Sequence, residues 1–264
     1  MTSITRRQLL QLAPALGLGL SARPAGAQVR DLGDAIDKAG RQRMLSQRMV
    51  KAWLALCQGV EPVLAQKALD SSLALFDRQL IELKAFAPQS QIRATYQALE
   101  AVWSDFKLAL VGSRPQRSQA AALQALDEQV LTLAHQGTQQ IEALSNRQPG
   151  RLVNVSGRQR MLSQRLAKLH LVQQWEPASA PLREDLRRTR LEFVAGHDLL
   201  LHAPQNTVAI RDGLELAQNQ WIFFDHALQR GNGGARLASD VLVTSENLLS
   251  VMDQVTGLYA RLPV

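Results

Sequence analysis

The chain has 264 residues with 30 basic and 23 acidic side chains, a formal net charge of +7. Its one cysteine, Cys57, excludes an intrachain disulfide, and there is neither a Cys-x-x-Cys-His motif for covalent haem nor a cysteine placed for a lipid anchor. Beyond residue 27 no segment approaches the roughly 18 consecutive apolar residues of a membrane helix, so we expect the mature protein to be soluble.

Residues 1–27 have the pattern of an export signal. Arg6 and Arg7 precede a mostly apolar segment, and Ala25 to Ala27 has the Ala-x-Ala form of a signal-peptidase site. The paired arginines resemble a twin-arginine signal, and the Sec route stays open as the alternative. Cleavage would remove three arginines and no acid, leaving a net charge of +4. Together with export to the periplasm, this modest charge argues against nucleic acid as a partner.

The rest of the chain alternates between helix-forming segments and short clusters of glycine and proline. The segments are rich in Leu, Ala, Gln, Arg and Glu with apolar residues at helical spacing, and strand patterns are almost absent. Eight helices are predicted, near 31–58, 62–87, 90–111, 117–146, 150–175, 180–202, 205–230 and 235–261. The fold class is therefore all-α.

One segment of nine residues, Gly-Arg-Gln-Arg-Met-Leu-Ser-Gln-Arg, occurs at 40–48 and again at 157–165, 117 positions later. Elsewhere the halves agree mainly in their large apolar residues, such as Trp103 with Trp221. A duplicated unit of four helices explains both observations. We expect two tandem up-and-down four-helix bundles, residues 28–147 and 148–264, divided where Pro149 and Gly150 interrupt the helix.

The repeat places one arginine of each copy on the packing face of its helix. Alternating steps of four and three residues along a helix mark the residues that share one face. In the first copy this face contains Arg43 and Ser46, and in the second copy it contains Arg160 and Ser163. A buried guanidinium needs a partner because it cannot shed its charge. The nearest acid in sequence, Asp37, is six residues before Arg43 and so is not at the i,i+3 or i,i+4 spacing at which helical side chains meet. A carboxylate from another helix or an anion from solution must therefore supply the negative charge.

If the two motif helices pack about a local two-fold, the two arginines face each other. Guanidinium groups about 7 Å apart repel by roughly 2 kcal/mol at an effective dielectric of about 20. A small planar oxyanion between them would reverse this repulsion, and the two serines would add neutral donors. The simpler alternative is that the motif arginines form salt bridges within the bundle.

The motif also carries a family resemblance. It resembles the P-box of the NarX and NarQ nitrate/nitrite sensors, and in its fuller form the PilJ-type, NarX-like N-terminal domain family. The resemblance implies a dimerising periplasmic four-helix bundle that holds nitrate between one arginine of each protomer. On this chain those arginines correspond to Arg43 and Arg160. The matching motif positions are Gly40, Met44, Ser46 and Arg48, and Gly157, Met161, Ser163 and Arg165.

Two departures from the sensors matter. Arg41-Gln42, Leu45 and Gln47 replace other residues of the P-box, so the resemblance extends to an anion and not to its identity. No membrane helix, kinase or methyl-accepting segment is visible, so signalling would need a membrane partner. The duplication predicts that the two copies replace the two subunits of a sensor dimer and share one anion site.

No enzyme is expected. The five histidines lack the spacing of a helical metal site, and neither a phosphate-binding loop nor a Gly-x-Ser-x-Gly motif is present, so no metal or cofactor is predicted. The sequence predicts a sensor-type protein that binds nitrate or nitrite and signals through a membrane sensor or chemotaxis-type protein. The alternative is a periplasmic scaffold for a chemoreceptor, kinase or pilus system with no small-molecule ligand.

Overall fold

The computed structural model describes residues 28–145, 148–176, 179–230 and 233–262. The predicted signal peptide, residues 1–27, and the predicted domain boundary at residue 147 lie outside them. Eight α-helices and one 3₁₀ turn occupy nearly all of the described chain, which confirms the all-α prediction. The helices are α1 (Leu32–Gln58), α2 (Pro62–Phe86), α3 (Ser90–Val111), α4 (Ala120–Glu142), α5 (Gln148–Gln173), α6 (Ala180–Leu201), α7 (Val208–Gln229) and α8 (Gly234–Tyr259).

Local sequence explains most helix ends. The Asp31 side chain caps α1 by accepting a hydrogen bond from the backbone N–H of Asp34 at 2.8 Å, and Gly59 ends the helix with a left-handed φ of 70°. Ser179 and Thr207 cap α6 and α7 in the same way as Asp31. The bounds of α1, α2, α3 and α6 lie within one residue of the prediction.

The other helices differ from the prediction at one end or both. Residues 117–119 form a 3₁₀ turn, so α4 begins at Ala120. The expected interruption between the fourth and fifth helices is present, but Pro149 and Gly150 lie in the first turn of α5 rather than before it. Proline is tolerated there because the first N–H groups of a helix have no intrahelical acceptor.

The two motif helices, α1 and α5, form the centre of the molecule and make the most extensive helix contact in the described structure. Helices α1 to α4 form a first quartet, in which α2 and α4 pack on α1 and α3 packs on α4. Helices α5 to α8 form a second quartet, in which α6 and α8 pack on α5 and α7 packs on α8. One continuous apolar core runs through both quartets. None of the described helices combines the length and apolar character of a membrane span.

The aromatic residues show that the two quartets are built alike. Phe76 stacks on Trp103 with ring centroids 4.0 Å apart, and Phe193 stacks on Trp221 at 4.1 Å. All four rings are buried, as expected for shared core residues. The duplication seen in the sequence is therefore a duplication of packing, with α1 and α5 as the seam between the copies.

Candidate functional site

The two motif helices come close together at the first glycine of each repeat. A Cβ added to Gly40 would lie 4.0 Å from the Gly157 Cα, so the missing side chains allow the backbones to meet. The same added atom would lie 3.2 Å from Arg43 Nη2 and 3.8 Å from Arg160 Nη2. Both arginines are 0% exposed. The fold thus brings the two predicted arginines together at the seam, both fully buried.

Arg160 has carboxylates on two sides. Its Nη2 donates to Asp37 Oδ1 at 2.6 Å, and its Nη1 donates to Asp253 Oδ1 at 2.5 Å. Burial alone would lower the pKa of Arg160, but the two carboxylates outweigh it and raise that pKa. Burial likewise would raise the pKa of Asp37, yet Arg160 and Arg41 hold it below its ordinary value. In the second copy the charge therefore comes from other helices, one of the two sources that the sequence left open.

Among the described residues, the hydrogen-bond partners of Arg43 are both neutral. Its Nη2 donates to the amide oxygen of Asn154 at 2.7 Å, and its Nη1 lies 3.2 Å from Nδ1 of His135. Burial first, and then the charges of Arg158 and Arg160, lower the pKa of Arg43 to about 9. The closest acid in this chain of contacts is Glu142, which accepts from the Asn154 amide at 2.5 Å rather than from Arg43.

This difference arises at equivalent positions of the repeat. Asn154 is the counterpart of Asp37 at the offset of 117, and His135 is the counterpart of Asp253 at the offset of 118 that relates the tryptophans. The two carboxylates that neutralise Arg160 are thus replaced by an amide and an imidazole around Arg43. Within the part of the chain that the structure describes, Arg160 is directly paired with acids and Arg43 is not.

His135 is an acceptor in this arrangement. A guanidinium can only donate, so Nδ1 of His135 must accept and the ring proton sits on Nε2. Burial, followed by the charges of Arg43 and Arg158, lowers the pKa of His135 to about 4. The imidazole is therefore neutral near pH 7 and does not add to the positive charge beside it.

Two buried donors at this side of the seam have no hydrogen-bond partner among the described residues: Nε of Arg43 and the Tyr96 hydroxyl. Tyr96 lies on α3 and is 0% exposed. Burial raises the pKa of Tyr96, and the charge of Arg43 acts on it in the opposite direction, which indicates that the two groups are close. A buried donor without an acceptor is costly. Because the Nε of Arg160 also lacks a partner among the described residues, the neutral surroundings of Arg43, rather than its Nε, make this the side of the seam that would gain from an added acceptor.

A cavity of about 420 Å³ lies next to Arg43 and His135, between α4, α5 and α6. Four arginines line it, together with one acid, two threonines and three apolar residues. The lining residues are Arg43, Leu131, Thr132, His135, Arg158, Met161, Leu162, Arg165, Arg188, Thr189 and Glu192. The cavity gives the Arg43 side of the seam an approach from the surface.

The predicted serines are at the seam but already engaged. Ser46 donates to the carbonyl of Arg43 at 3.1 Å, and Ser163 donates to the carbonyl of Arg160 at 2.8 Å. Each hydroxyl also accepts from the neighbouring glutamine amide of its own motif. Both serines are 0% exposed. Their hydroxyl protons are thus used inside the helices and do not face the space between the arginines.

The last arginine of each motif ties the copies together. Arg48 on α1 donates to Glu246 on α8 at 2.6 Å, and Arg165 on α5 donates to Glu128 on α4 at 2.9 Å. The motif methionines, Met44 and Met161, are each 4% exposed, and Met161 also lines the cavity.

Sequence reasoning missed a buried polar network just beyond the motif. Lys51 is fully buried and donates to Gln164 and Glu246, each at 2.6 Å. Its counterpart Lys168 donates to Asp127 at 2.7 Å. Burial would raise the pKa of Glu246, but Lys51 and Arg48 lower it to about 2. Extending the repeat by three residues would have found both lysines, because they too are 117 positions apart.

Comparison with known families agrees with this architecture. Residues 26–135 and 143–242 each match the PilJ family, described as the type IV pili methyl-accepting chemotaxis transducer N-terminal domain. The chain belongs to this family. The two matches cover most of the chain and fall one on each quartet, so the PilJ-type domain is present in tandem. No curated protein and no solved structure shows a significant match to it.

Proposed function

We propose that this tandem PilJ-type protein is a periplasmic sensory protein that binds a small oxyanion at Arg43, and that it signals through a chemotaxis-type membrane partner. Nitrate or nitrite is the first candidate, because the motif resembles the P-box of the nitrate sensors. The observation that carries the proposal is a fully buried arginine whose direct partners are all neutral.

The energetic argument compares the empty site with the filled one. A guanidinium without a carboxylate in a dry interior costs several kcal/mol, and burial already lowers the pKa of Arg43. An oxyanion would accept charge-assisted hydrogen bonds worth about 1.5–3 kcal/mol each. The site is thus unfavourable when empty and neutralised when filled, which gives the anion a differential affinity for the conformation that accepts it.

The proposal assigns one anion site to each chain, in an intramolecular pseudo-dimer of residues 28–147 and 148–264. Asp37 and Asp253 already occupy Arg160, which leaves Arg43 as the arginine that accepts an external anion. Arg43, Asn154 and His135 come from α1, α5 and α4. Neutralising Arg43 would therefore act on the relative positions of the two copies, the displacement that a membrane partner would detect.

The test is calorimetric titration and thermal shift of the full mature chain with the sodium salts of nitrate, nitrite, sulfate, phosphate and acetate at constant ionic strength. We expect a planar anion to bind with a stoichiometry of one and to raise the melting temperature. Arg43→Met should abolish the response. Arg78→Met is the matched control, since Arg78 is an exposed arginine on α2 outside the cavity.

Two results would count against this function. Two independent sites per chain, or a response that survives in Arg43→Met, would show that the anion binds elsewhere. No response to any anion, together with specific capture of a chemoreceptor or pilus component, would favour the scaffold alternative.

A further inference from the structure

The cavity beside Arg43 is much larger than an inorganic oxyanion. Its volume is about 420 Å³, within the range of about 300–1,000 Å³ that is typical of small-molecule sites. A water molecule takes about 30 Å³ in the liquid, so an anion the size of nitrate would fill roughly 60 Å³. Most of the cavity would then remain for another part of a ligand.

Three apolar side chains form part of the wall beyond Arg43, among the charged ones. Leu131 on α4 and Met161 and Leu162 on α5 line the space. The two threonines add little polarity, because Thr132 donates its hydroxyl proton to the Glu128 carbonyl at 2.7 Å and Thr189 donates to the Asp185 carbonyl at 2.6 Å. Such walls would bury a hydrocarbon group and gain about 25 cal/mol for each Å² removed from water.

The charges on the cavity wall are balanced except at Arg43. Arg158 pairs with Glu192. Arg165 pairs with Glu128 at 2.9 Å, and Arg188 pairs with Asp185 at 2.5 Å. Among the described residues, these pairs leave Arg43 as the cavity arginine without a direct acidic partner. Glu142, the next acid, hydrogen-bonds to Asn154 and does not line the cavity, so the cavity itself presents one unpaired guanidinium. This arrangement matches a monoanion and disfavours a dianion, whose second charge would have to break an existing ion pair.

We propose that the ligand of this cavity is an organic monocarboxylate with a compact hydrocarbon body, similar in size to benzoate or isovalerate. Its carboxylate accepts hydrogen bonds from the Arg43 guanidinium, whose Nε has no acceptor among the described residues. Its hydrocarbon body packs against Leu131, Met161 and Leu162. The assignment rests on the proposed function, since it uses the same arginine, and it adds the class of ligand.

Access to Arg43 runs past His135. Arg43 has no exposed surface, whereas His135 is partly exposed, touches the guanidinium and lines the cavity. The ligand carboxylate therefore has two ways to bind. It replaces the His135 imidazole as the acceptor of Arg43 Nη1, or it accepts from Arg43 Nε while the imidazole stays in place. In either case α4 responds to the ligand directly, since His135 lies on that helix.

The test is calorimetric titration of the full mature chain with sodium benzoate, isovalerate, acetate and nitrate, and with benzamide as the neutral analogue of benzoate. We expect benzoate or isovalerate to bind at least tenfold more tightly than acetate and nitrate, and benzamide not to bind. Leu131→Asn should reduce that preference at least fivefold. Leu133→Asn is the matched control, because it lies on the same helix with similar exposure but does not line the cavity.

The outcomes separate this inference from the proposed function. If nitrate binds through Arg43 and benzoate binds no more tightly than acetate, the monocarboxylate assignment is overturned and anion sensing stands. Equal effects of Leu131→Asn and Leu133→Asn, or benzoate binding that survives in Arg43→Met, would also overturn it. If no anion binds at all, the proposed function fails as well.

Discussion

Replacing the two motif arginines one at a time provides the sharpest test of the asymmetry at the seam. Arg43 and Arg160 occupy the same place in the repeat, and both are 0% exposed. They differ in their partners, since Arg160 has two carboxylates and Arg43 has an amide and a neutral imidazole. Methionine is the replacement of choice because it keeps an unbranched side chain without the charge.

The expected magnitudes follow from the partners. Arg160→Met leaves Asp37 buried with Arg41 as its remaining partner, and breaking a buried ion pair in this way costs about 3–5 kcal/mol. Arg43→Met removes a cation whose pKa is lowered from its ordinary value to about 9, which corresponds to roughly 5 kcal/mol against its charged form. The loss of two hydrogen bonds offsets much of that gain. We therefore expect Arg43→Met to change the free energy of unfolding by less than about 2 kcal/mol.

Urea unfolding at pH 7.5 without added anion, followed by circular dichroism at 222 nm and by tryptophan fluorescence, measures both values. The urea dependence of the free energy of unfolding must be the same in both variants for the comparison to hold. If Arg43→Met lowers the free energy of unfolding as much as Arg160→Met does, then Arg43 is neutralised by the folded chain itself and the reasoning is refuted.

Three further predictions concern the seam and its surroundings. Gly157→Ala should destabilise the protein more than Gly40→Ala. The Arg160 guanidinium, 3.3 Å from the added Cβ of residue 157, is held by two carboxylates and cannot move away easily. The melting temperatures of the two variants measure this difference, and equal shifts would contradict the prediction. Asp127→Ala should lower the free energy of unfolding by about 3–5 kcal/mol, since it leaves the buried Lys168 with the more distant Glu128 as its acidic partner. An unchanged urea midpoint would contradict this. Burial lowers the pKa of both His135 and His170 to about 4, so the unfolded chain takes up protons near pH 6.5 that the folded chain resists. Stability should fall as the pH decreases from about 6.5 to about 4, and the urea midpoint of a variant with both histidines changed to glutamine should depend less on pH in that window.

Much of the helical framework was predictable because helix formation depends on neighbours in sequence. The start of α1 follows from a capping aspartate, and its end follows from Gly59 in a left-handed conformation. The start of α7 was missed by three residues because the cap is Thr207, not the proline cluster before it. Helix ends depend on which side chain reaches the first free N–H, and composition alone does not decide this.

The candidate site was predictable only in part. The exact repeat and its helical spacing placed one arginine of each copy at the seam, and the paired glycines explain the close approach of the helices there. The acids that neutralise Arg160 are 123 and 93 positions away in sequence. No local pattern connects residues so far apart, and so a symmetric pair of arginines was the natural prediction.

The sequence by itself determined that this protein is helical and duplicated, and that a charged residue is buried in each copy, because these properties follow from periodicity and from identity between the halves. Only the tertiary structure decided which of the two arginines remains without an acid. Electrostatic partners are set by distance in space, and α4, α5 and α8 place His135, Asn154 and Asp253 around the seam. Two substitutions between equivalent positions, Asp37 with Asn154 and Asp253 with His135, make two identical motifs different in charge.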